Sequence, residues 1–321
     1  MYHFIINPHA RSGRGRQLWR ELEATLRKQR FSYQAHLTSA PGHAVELVRA
    51  LTGVGHPFLY IIVVGGDGTL NEVINGIIDP KDLIISCIPV GSGNDFVRGM
   101  IGSGHSPQSL LDLVTEAKHT TAVDIARVSE INGNRSHRFI VSCGLGYDAE
   151  ATAQVNRSWL KPFFNKLRLG KLAYTLSALW KLLTYRPLTV TVTDADGQLF
   201  HQKRSYFSTF MNLPYEGGGL MLCPAARPDD GLLDFCCIHA GLMPPFISGF
   251  RAYKGAHTRS RRVHLSHSAT YQIETDRPYV LHTDGEVRRL QGPLQIELLP
   301  WKVEVITPAT GFLSRPTQPS H

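Results

Sequence analysis

Residues 61–72 read Ile61-Ile62-Val63-Val64-Gly65-Gly66-Asp67-Gly68-Thr69-Leu70-Asn71-Glu72. Four β-branched residues in a row make a buried strand. A Gly-Gly-Asp-Gly turn follows directly. Thr69-Leu70-Asn71-Glu72-Val73-Ile74 then opens a helix that Thr69 or Asp67 can cap. Strand, glycine turn and helix N-terminus together form an anion site: backbone N–H groups converge, the helix dipole favours negative charge, and glycine lets a phosphate come close. Asp67 inside the turn would repel that phosphate unless a divalent metal or ordered water lies between them. The pattern points to a nucleotide accompanied by magnesium.

Outward from this stretch, residues 1–120 alternate strand-like and helix-like segments. Strands fall at 2–6, 31–37, 58–64 and 83–88, and helices at 14–30, 41–52 and 69–78. Such a β-α-β-α order predicts a parallel sheet with helices on both faces. Ligands of these sheets bind at the carboxyl ends of the strands. Three polar, glycine-rich loops fall at those ends: Asn7-Pro8 after the first strand, Gly65–Thr69 after the third, and Pro89-Val90-Gly91-Ser92-Gly93-Asn94-Asp95 after the fourth.

From about residue 120 short strands take over. They lie at 121–128, 137–143, 187–194, 198–204, 205–212 and 231–239, and in pieces over 263–283 and 293–306. Asp196-Gly197 is a hairpin signal. This half reads as an antiparallel domain, interrupted by one helical segment at about 157–184. The 321 residues suffice for two domains.

Composition is that of a globular protein, with 42% hydrophobic and 19% charged residues. No apolar run nears the roughly 20 residues of a membrane span. The opening Met1-Tyr2-His3-Phe4-Ile5-Ile6-Asn7-Pro8 is too short for a signal peptide and reads as a first strand. Cys87, Cys143, Cys223, Cys236 and Cys237 form no Cys-x-x-Cys pair, and read as reduced core residues of a cytosolic protein without a zinc site. The 15 histidines show no metal-ligand spacing. A net charge of +8 favours a polyanionic partner: nucleic acid, anionic lipid or nucleotide. No nucleic-acid-binding motif is present, and neither is a P-loop or a complete dinucleotide fingerprint.

Gly65-Gly66-Asp67-Gly68-Thr69 with Asn71-Glu72, followed by Pro89-Val90-Gly91-Ser92-Gly93-Asn94-Asp95-Phe96, closely resembles the diacylglycerol-kinase catalytic-domain family of lipid kinases. Asn7-Pro8 with Ser12-Gly13 and Gly15 is similar to that family's opening nucleotide loop. Gly217-Gly218-Gly219-Leu220-Met221 through Pro224, with Asp229-Asp230-Gly231-Leu232-Leu233-Asp234, resembles its second-domain signature. His282-Thr283-Asp284-Gly285-Glu286 resembles its Asp-Gly-Glu segment.

The resemblance implies an α/β nucleotide domain like those of NAD kinases and phosphofructokinases, plus a mainly antiparallel β-sandwich domain. It also implies that the C-terminal segment returns to the first domain, so that residues 1–122 and about 305–321 form one domain and 123–304 the other. ATP with Mg2+ is expected in the cleft between them. Asn7, Gly65, Gly66, Asp67, Gly68, Thr69, Asn71, Glu72, Gly91, Gly93, Asn94, Asp95 and Asp124 would hold the nucleotide. Asp67, Asp95 and Asp124 are expected to form an acidic network toward magnesium. An acid in an apolar strand, as in Ala122-Val123-Asp124-Ile125, is either paired or functional.

Asp284 is the expected general base on a lipid hydroxyl. Glu286 would orient it or bind metal, or else is a solvated strand residue. Asp230 and the carbonyl of Leu232 resemble a structural magnesium site. A further acid of that site is replaced here by Arg227, with Asp229 as a substitute.

Residues 157–186 hold Arg157, Lys161, Lys166, Arg168, Lys171, Lys181 and Arg186, interleaved with aromatics and without an acid. This reads either as a basic helix face or, for 157–168, as a contact with an anionic membrane surface. A second basic cluster comprises Lys254, His257, Arg259, Arg261, Arg262, His264 and His267. The expectation is a cytosolic lipid kinase on the inner face of a membrane. It would act most simply on diacylglycerol in phospholipid biosynthesis, with no nucleic-acid partner and with a homodimer admitted. The rivals are an NAD kinase and a non-catalytic binding homologue.

Overall fold

The computed structural model describes residues 1–53, 55–91, 94–147, 149–150, 153, 185–239 and 255–309. The chain forms two compact units. One comprises Met1–Ile125, Pro228–Asp230 and Leu299–His321, and the other Ala126–Arg227 and Gly231–Leu298.

The first unit alternates β1 (Tyr2–Ile6), α1 (Ala10–Lys28), β2 (Tyr33–Leu37), α2 (His43–Leu51), β3 (Leu59–Gly65), α3 (Asp67–Gly76) and β4 (Leu83–Pro89). Next come α4 (Asp95–Met100), α5 (Pro107–Glu116) and β5 (Thr120–Glu130), which runs on into the second unit. All four strands β1–β4 pair in parallel, in the order β4-β3-β1-β2. β3 and β4 are buried along almost their whole length. This is why they read as unbroken Ile/Val runs rather than alternating ones. Fully burying a Val or Ile side chain stabilises by about 1.5–3 kcal/mol, so Ile61, Ile62, Val63 and Val64 anchor the sheet. On one flank Trp19 of α1 packs on Phe4, ring centroids 5.2 Å apart.

Chain order places the site. From β1 the chain steps outward to β2, then returns across β1 to β3 and continues to β4 on the other side. The direction reverses between β1 and β3, and such a switch point opens a crevice at the strands' carboxyl ends. Asn7 follows β1 there, and Gly65-Gly66 closes β3.

The second unit is antiparallel. Its strands are β6 (Ser136–Phe139), β7 (Ser142–Gly146), β8 (Leu188–Asp194), β9 (Leu199–Met211), β10 (Tyr215–Glu216), β11 (Leu220–Met221), β12 (Leu233–His239), β13 (Val263–Ser268), β14 (Thr270–Thr275), β15 (Tyr279–Thr283), β16 (Glu286–Leu290) and the first part of β17 (Leu294–Ile306), which runs on into the first unit. The sequence suggests two strands over 198–204 and 205–212, but β9 is one strand bent where Arg204 takes a φ of 65°. Its first half pairs with β8, and its second half with both β7 and β12. Phe210 and Phe235 stack in the core with centroids 4.9 Å apart, and Tyr271 packs tilted against Phe210 at 5.1 Å.

Other departures from the sequence reading are local. The regular turns of α1 begin at Arg14, because Arg11, Ser12 and Gly13 are left-handed, with φ of 49°, 60° and 93°. Residues 137–143 split between β6 and β7. Residues 293–306 form a single strand, whose Leu294–Glu297 part pairs with β14 and whose Glu304–Val305 part pairs in parallel with β4. Helices α4 and α5 are additional to the sequence reading. The unit boundaries fall at 125/126 and 298/299, and Pro228–Asp230 groups with the first unit. The reason is bonding: Asp124 donates its N–H to Pro228 O at 2.7 Å, and Lys302 Nζ reaches Asp229 O at 3.0 Å. The helical segment expected at about 157–184 lies outside the described residues.

Candidate active site

In the first unit a cavity of about 330 Å³ is lined by Ala10 and Arg11, by Gly65-Gly66-Asp67, by Pro89-Val90-Gly91 and by Asn94. These are the three loops picked out at the strand ends. Two glycines here differ in purpose. A Cβ on Gly65 would lie 2.8 Å from Thr69 Cβ and Oγ1, so that position is closed by the protein itself. A Cβ on Gly66 would meet nothing within 4 Å, so that glycine faces open space at the start of α3. Backbone N–H groups of the first helical turn and the helix dipole make that space favourable to an anion.

Asn7 ties the two strand ends. Its Nδ2 donates to Thr69 Oγ1 at 3.1 Å, its Oδ1 accepts from His9 N at 3.0 Å, and its own N–H donates to Val64 O at 2.9 Å. Asp67 turns its carboxylate onto α4: Oδ2 accepts from Asp95 N at 3.3 Å and Oδ1 from Phe96 N at 3.5 Å. Burial pushes the neighbouring Cys87 thiol up, and the Asp67 charge adds to this. Asn94 caps α4, accepting from Val97 N at 2.6 Å, and Asp95 pairs with Arg98 at 3.3 Å.

The expected nucleotide residues do not all sit together. Asn7, Gly65, Gly66, Asp67, Thr69, Gly91, Asn94 and Asp95 gather at or against the cavity. Gly68 lies in the first turn of α3. Asn71 is buried and accepts from Asn75 Nδ2 on the same helix. Glu72 points elsewhere, accepting from Gly42 N at 2.9 Å and Ala44 N at 3.2 Å at the start of α2. Its carboxylate thus caps that helix, satisfying two N–H groups that have no intrahelical partner. Buried Asp124 pairs with Lys302, whose Nζ lies 3.0 Å from Oδ1 and 3.1 Å from Oδ2. Gly93, and Ser92 before it, lie outside the described residues.

Arg11 escaped the sequence reading. Its guanidinium lies over Gly91, where a Cβ would meet Nη1 at 3.3 Å. It makes no ion pair among the described residues. Left-handed backbone costs a residue other than glycine about 1–2 kcal/mol. Strain of this kind clusters where a ligand is clamped. The signal in the sequence was a cation inside an otherwise small and polar loop.

In the second unit the hairpin between β15 and β16 turns on Asp284 and Gly285, with φ of 48° and 86°. Two positive φ values are what a two-residue hairpin of this twist needs, and an Asp-Gly pair supplies them. The Asp284 carboxylate is buried and fixed. Oδ1 accepts from Val141 N at 2.9 Å and Ser142 N at 3.0 Å, and Oδ2 from Ile140 N at 3.1 Å. Hydrogen bonds to a charged acceptor contribute about 1.5–3 kcal/mol each, which exceeds the strain of one left-handed residue. The donating segment is itself held by Asn212: Nδ2 donates to Ile140 O at 2.8 Å, and the backbone N to Val141 O at 2.9 Å. Asn212 went unnoticed in the sequence, where it is simply the polar end of an apolar run.

Around this turn, Arg288 Nη1 donates to Thr283 Oγ1 at 2.7 Å. Burial pulls the Arg288 guanidinium down, and the negative charges of Glu286 and Asp284 oppose that. His282 Nε2 pairs with Glu216 Oε1 at 2.9 Å, and Glu216 Oε2 accepts from Thr209 Oγ1 at 2.9 Å. Glu216 leads into the turn Gly217-Gly218-Gly219, all three at positive φ. Glu286 is exposed, and its side chain makes no hydrogen bond among the described residues. Asp284 is oriented by backbone N–H groups.

Of the expected structural metal ligands, Asp230 is exposed in the first unit and Leu232 half-buried in the second. Among the described residues no group of three or more His, Cys, Asp or Glu is arranged to hold a metal. Also among them, no helix is long and apolar enough to cross a membrane.

Two domain families account for this arrangement. The Diacylglycerol kinase catalytic domain matches residues 1–128, and the YegS C-terminal NAD kinase beta sandwich-like domain matches residues 141–307. The chain belongs to the diacylglycerol kinase family of lipid kinases. It is similar to the Bacillus subtilis protein named "Putative lipid kinase YtlR", with 30% identity over 88% of this chain and 92% of the other. It is also similar to the Diacylglycerol kinase of Staphylococcus carnosus, with 29% identity over 95% and 94%. A solved structure described as "A putative diacylglycerol kinase from Bacillus anthracis str. Sterne" superposes with a TM-score of 0.69 at 25% identity, covering 97% of this chain and 98% of that one.

Proposed function

We propose that this kinase transfers the γ-phosphate of ATP to a lipid hydroxyl, diacylglycerol in the first instance, giving phosphatidic acid. The observation that carries the reading is the immobilised Asp284 carboxylate, held by three backbone N–H groups on a strained two-residue turn. An alcohol is a poor nucleophile until its proton leaves, and a positioned carboxylate can take that proton. The hydroxyl oxygen forms its new bond to the γ-phosphorus while the bond to the β,γ-bridging oxygen breaks. ADP leaves, and the proton passes to Asp284. Arg11, Gly66, Asn94 and the first turn of α3 receive the triphosphate. Asp67 and Asp95 are the acids available to the accompanying Mg2+, which neutralises charge on the phosphoryl oxygens.

The diacylglycerol assignment draws support from the names of the relatives. Membrane contact fits the exposed Arg259, Arg261 and Arg262, with the exposed Leu265 close by in the chain. Cations of this kind meet anionic headgroups while an apolar side chain enters the interface. Lys254 of that cluster and the basic stretch 157–168 lie outside the described residues.

The test is phosphorylation by purified protein, with labelled ATP, of a panel holding diacylglycerol, monoacylglycerol, phosphatidylglycerol, a sphingoid base and NAD. Labelled phosphatidic acid is the expected product. Label on NAD alone, or on no lipid at all, would overturn the assignment.

A further inference from the structure

Three pieces of chain, far apart in sequence, meet in the first unit: the start of β5, Pro228–Asp230, and the second half of β17. The ammonium of Lys302 sits where they meet. It lies 3.0 and 3.1 Å from the carboxylate oxygens of Asp124 and 3.0 Å from the carbonyl oxygen of Asp229. The side chain of Asp124 is only 4% exposed, so its charge requires a counter-charge close by. A carboxylate with a backbone carbonyl is the hard-oxygen set that a magnesium ion would use. Here those oxygens receive an ammonium, which has three N–H donors to offer.

The flanking sequence departs from a metal site in the same direction. Arg227 stands where an acid would have helped, so a second cation is placed in the segment that should supply ligands. Asp230 is exposed. The residues present do not fit a structural divalent ion at Asp124 and Asp229.

We infer that Lys302 is a built-in cation: its ammonium holds the Asp124–Asp229 node in place of a divalent ion, and the node needs no metal. This stands apart from any Mg2+ carried by a nucleotide, and it does not rest on the proposed activity.

The experiment uses nucleotide-free protein, with melting temperature and Mn2+ binding by electron paramagnetic resonance as readouts. Each measurement is repeated in an Asp67→Asn background, which removes binding by that acid. The wild-type chain is expected to melt at the same temperature in EDTA and in MgCl2, and to bind no tight Mn2+. Lys302→Met should melt about 3–6 °C lower in EDTA, bind one Mn2+, and recover most of the loss in MgCl2. Lys302→Arg should behave as the wild type. Tight Mn2+ binding by the wild type, or its destabilisation by EDTA, overturns the inference. So does a Lys302→Met protein whose lower melting temperature no divalent ion raises. Should Lys302→Met fail to fold, the wild-type Mn2+ titration decides alone.

Discussion

Asn7 and Thr69 lie 62 residues apart in the chain and are joined by a 3.1 Å hydrogen bond from Asn7 Nδ2 to Thr69 Oγ1. That bond locks the end of β1 to the first turn of α3 at the point where strand order reverses. Thr69→Val keeps the shape and removes the hydroxyl, leaving the Asn7 amide without its acceptor. The expected cost is about 1–3 kcal/mol, read by urea denaturation, with a rise in the KM for ATP. An unchanged KM would place the bond outside nucleotide recognition.

Gly65 and Gly66 make a contrasting pair. Gly65→Ala drives a Cβ into buried Thr69 and should destabilise by about 1–3 kcal/mol. Gly66→Ala has room and an extended backbone, so stability should stay within about 0.5 kcal/mol. The loss there should fall on ATP binding instead, by roughly tenfold or more. Thermal melts paired with ATP titrations separate the two, and a Gly66→Ala protein with normal ATP affinity would contradict the assignment of that open space.

Arg11 is expected to act through its charge. Arg11→Ala should raise the KM for ATP by about tenfold, the worth of one charge-assisted contact, and leave the KM for lipid alone. Arg11→Gly should show the same loss with a gain in stability, because glycine holds a φ of 49° without strain. Equal ATP affinity in both variants and wild type would remove Arg11 from the phosphate site.

Asp284→Asn should lower kcat by about a thousandfold, within the range for a lost general base. Affinity for ATP should hardly move. Three N–H groups lose a charged acceptor, so the melting temperature should fall as well, and circular dichroism at the assay temperature establishes that the variant is folded. A folded Asp284→Asn protein keeping a tenth of wild-type kcat would end the general-base reading.

His137 sets one expected pH dependence. Burial lowers its pKa to about 4, and the nearby charges of Arg288 and Arg135 push the same way. In the unfolded chain its pKa is near the ordinary 6.5, so below that pH the unfolded state binds the extra proton. Stability contributed by neutral His137 is present above pH 6.5 and is lost as pH falls toward about 4. His137→Gln should flatten the fall in melting temperature across that window. An identical pH profile in the variant would remove His137 as the cause.

Much of this was legible in the sequence where local chemistry and fold agree. The Ile61–Val64 run, the Gly65-Gly66-Asp67-Gly68 turn and the Asp284-Gly285 hairpin each demand what their residues supply. The exceptions share a physical cause. Adjacency on the first turn of α3 predicts Glu72 beside the nucleotide, yet its long side chain reaches the unsatisfied N–H groups of α2. For Asp124 the family resemblance implies a network with Asp67 and Asp95, and its partner Lys302, 178 residues further on, is not predicted at all. Long-range pairing leaves no local trace. Asn212, at the end of an apolar strand, was invisible for the same reason: what it holds is a backbone segment 72 residues earlier.

β17 runs parallel to β4 through Glu304 and Val305 and so covers the β4 edge of the first unit's parallel strands. Ribosomes deliver β1 to β4 long before that strand exists. During synthesis β4 must therefore wait with one backbone edge unpaired, exposing a run of Leu83, Ile84 and Ile85 to any passing strand. The half of the protein that is made first is finished last, and nascent chains halted before residue 299 would be the ones prone to aggregate.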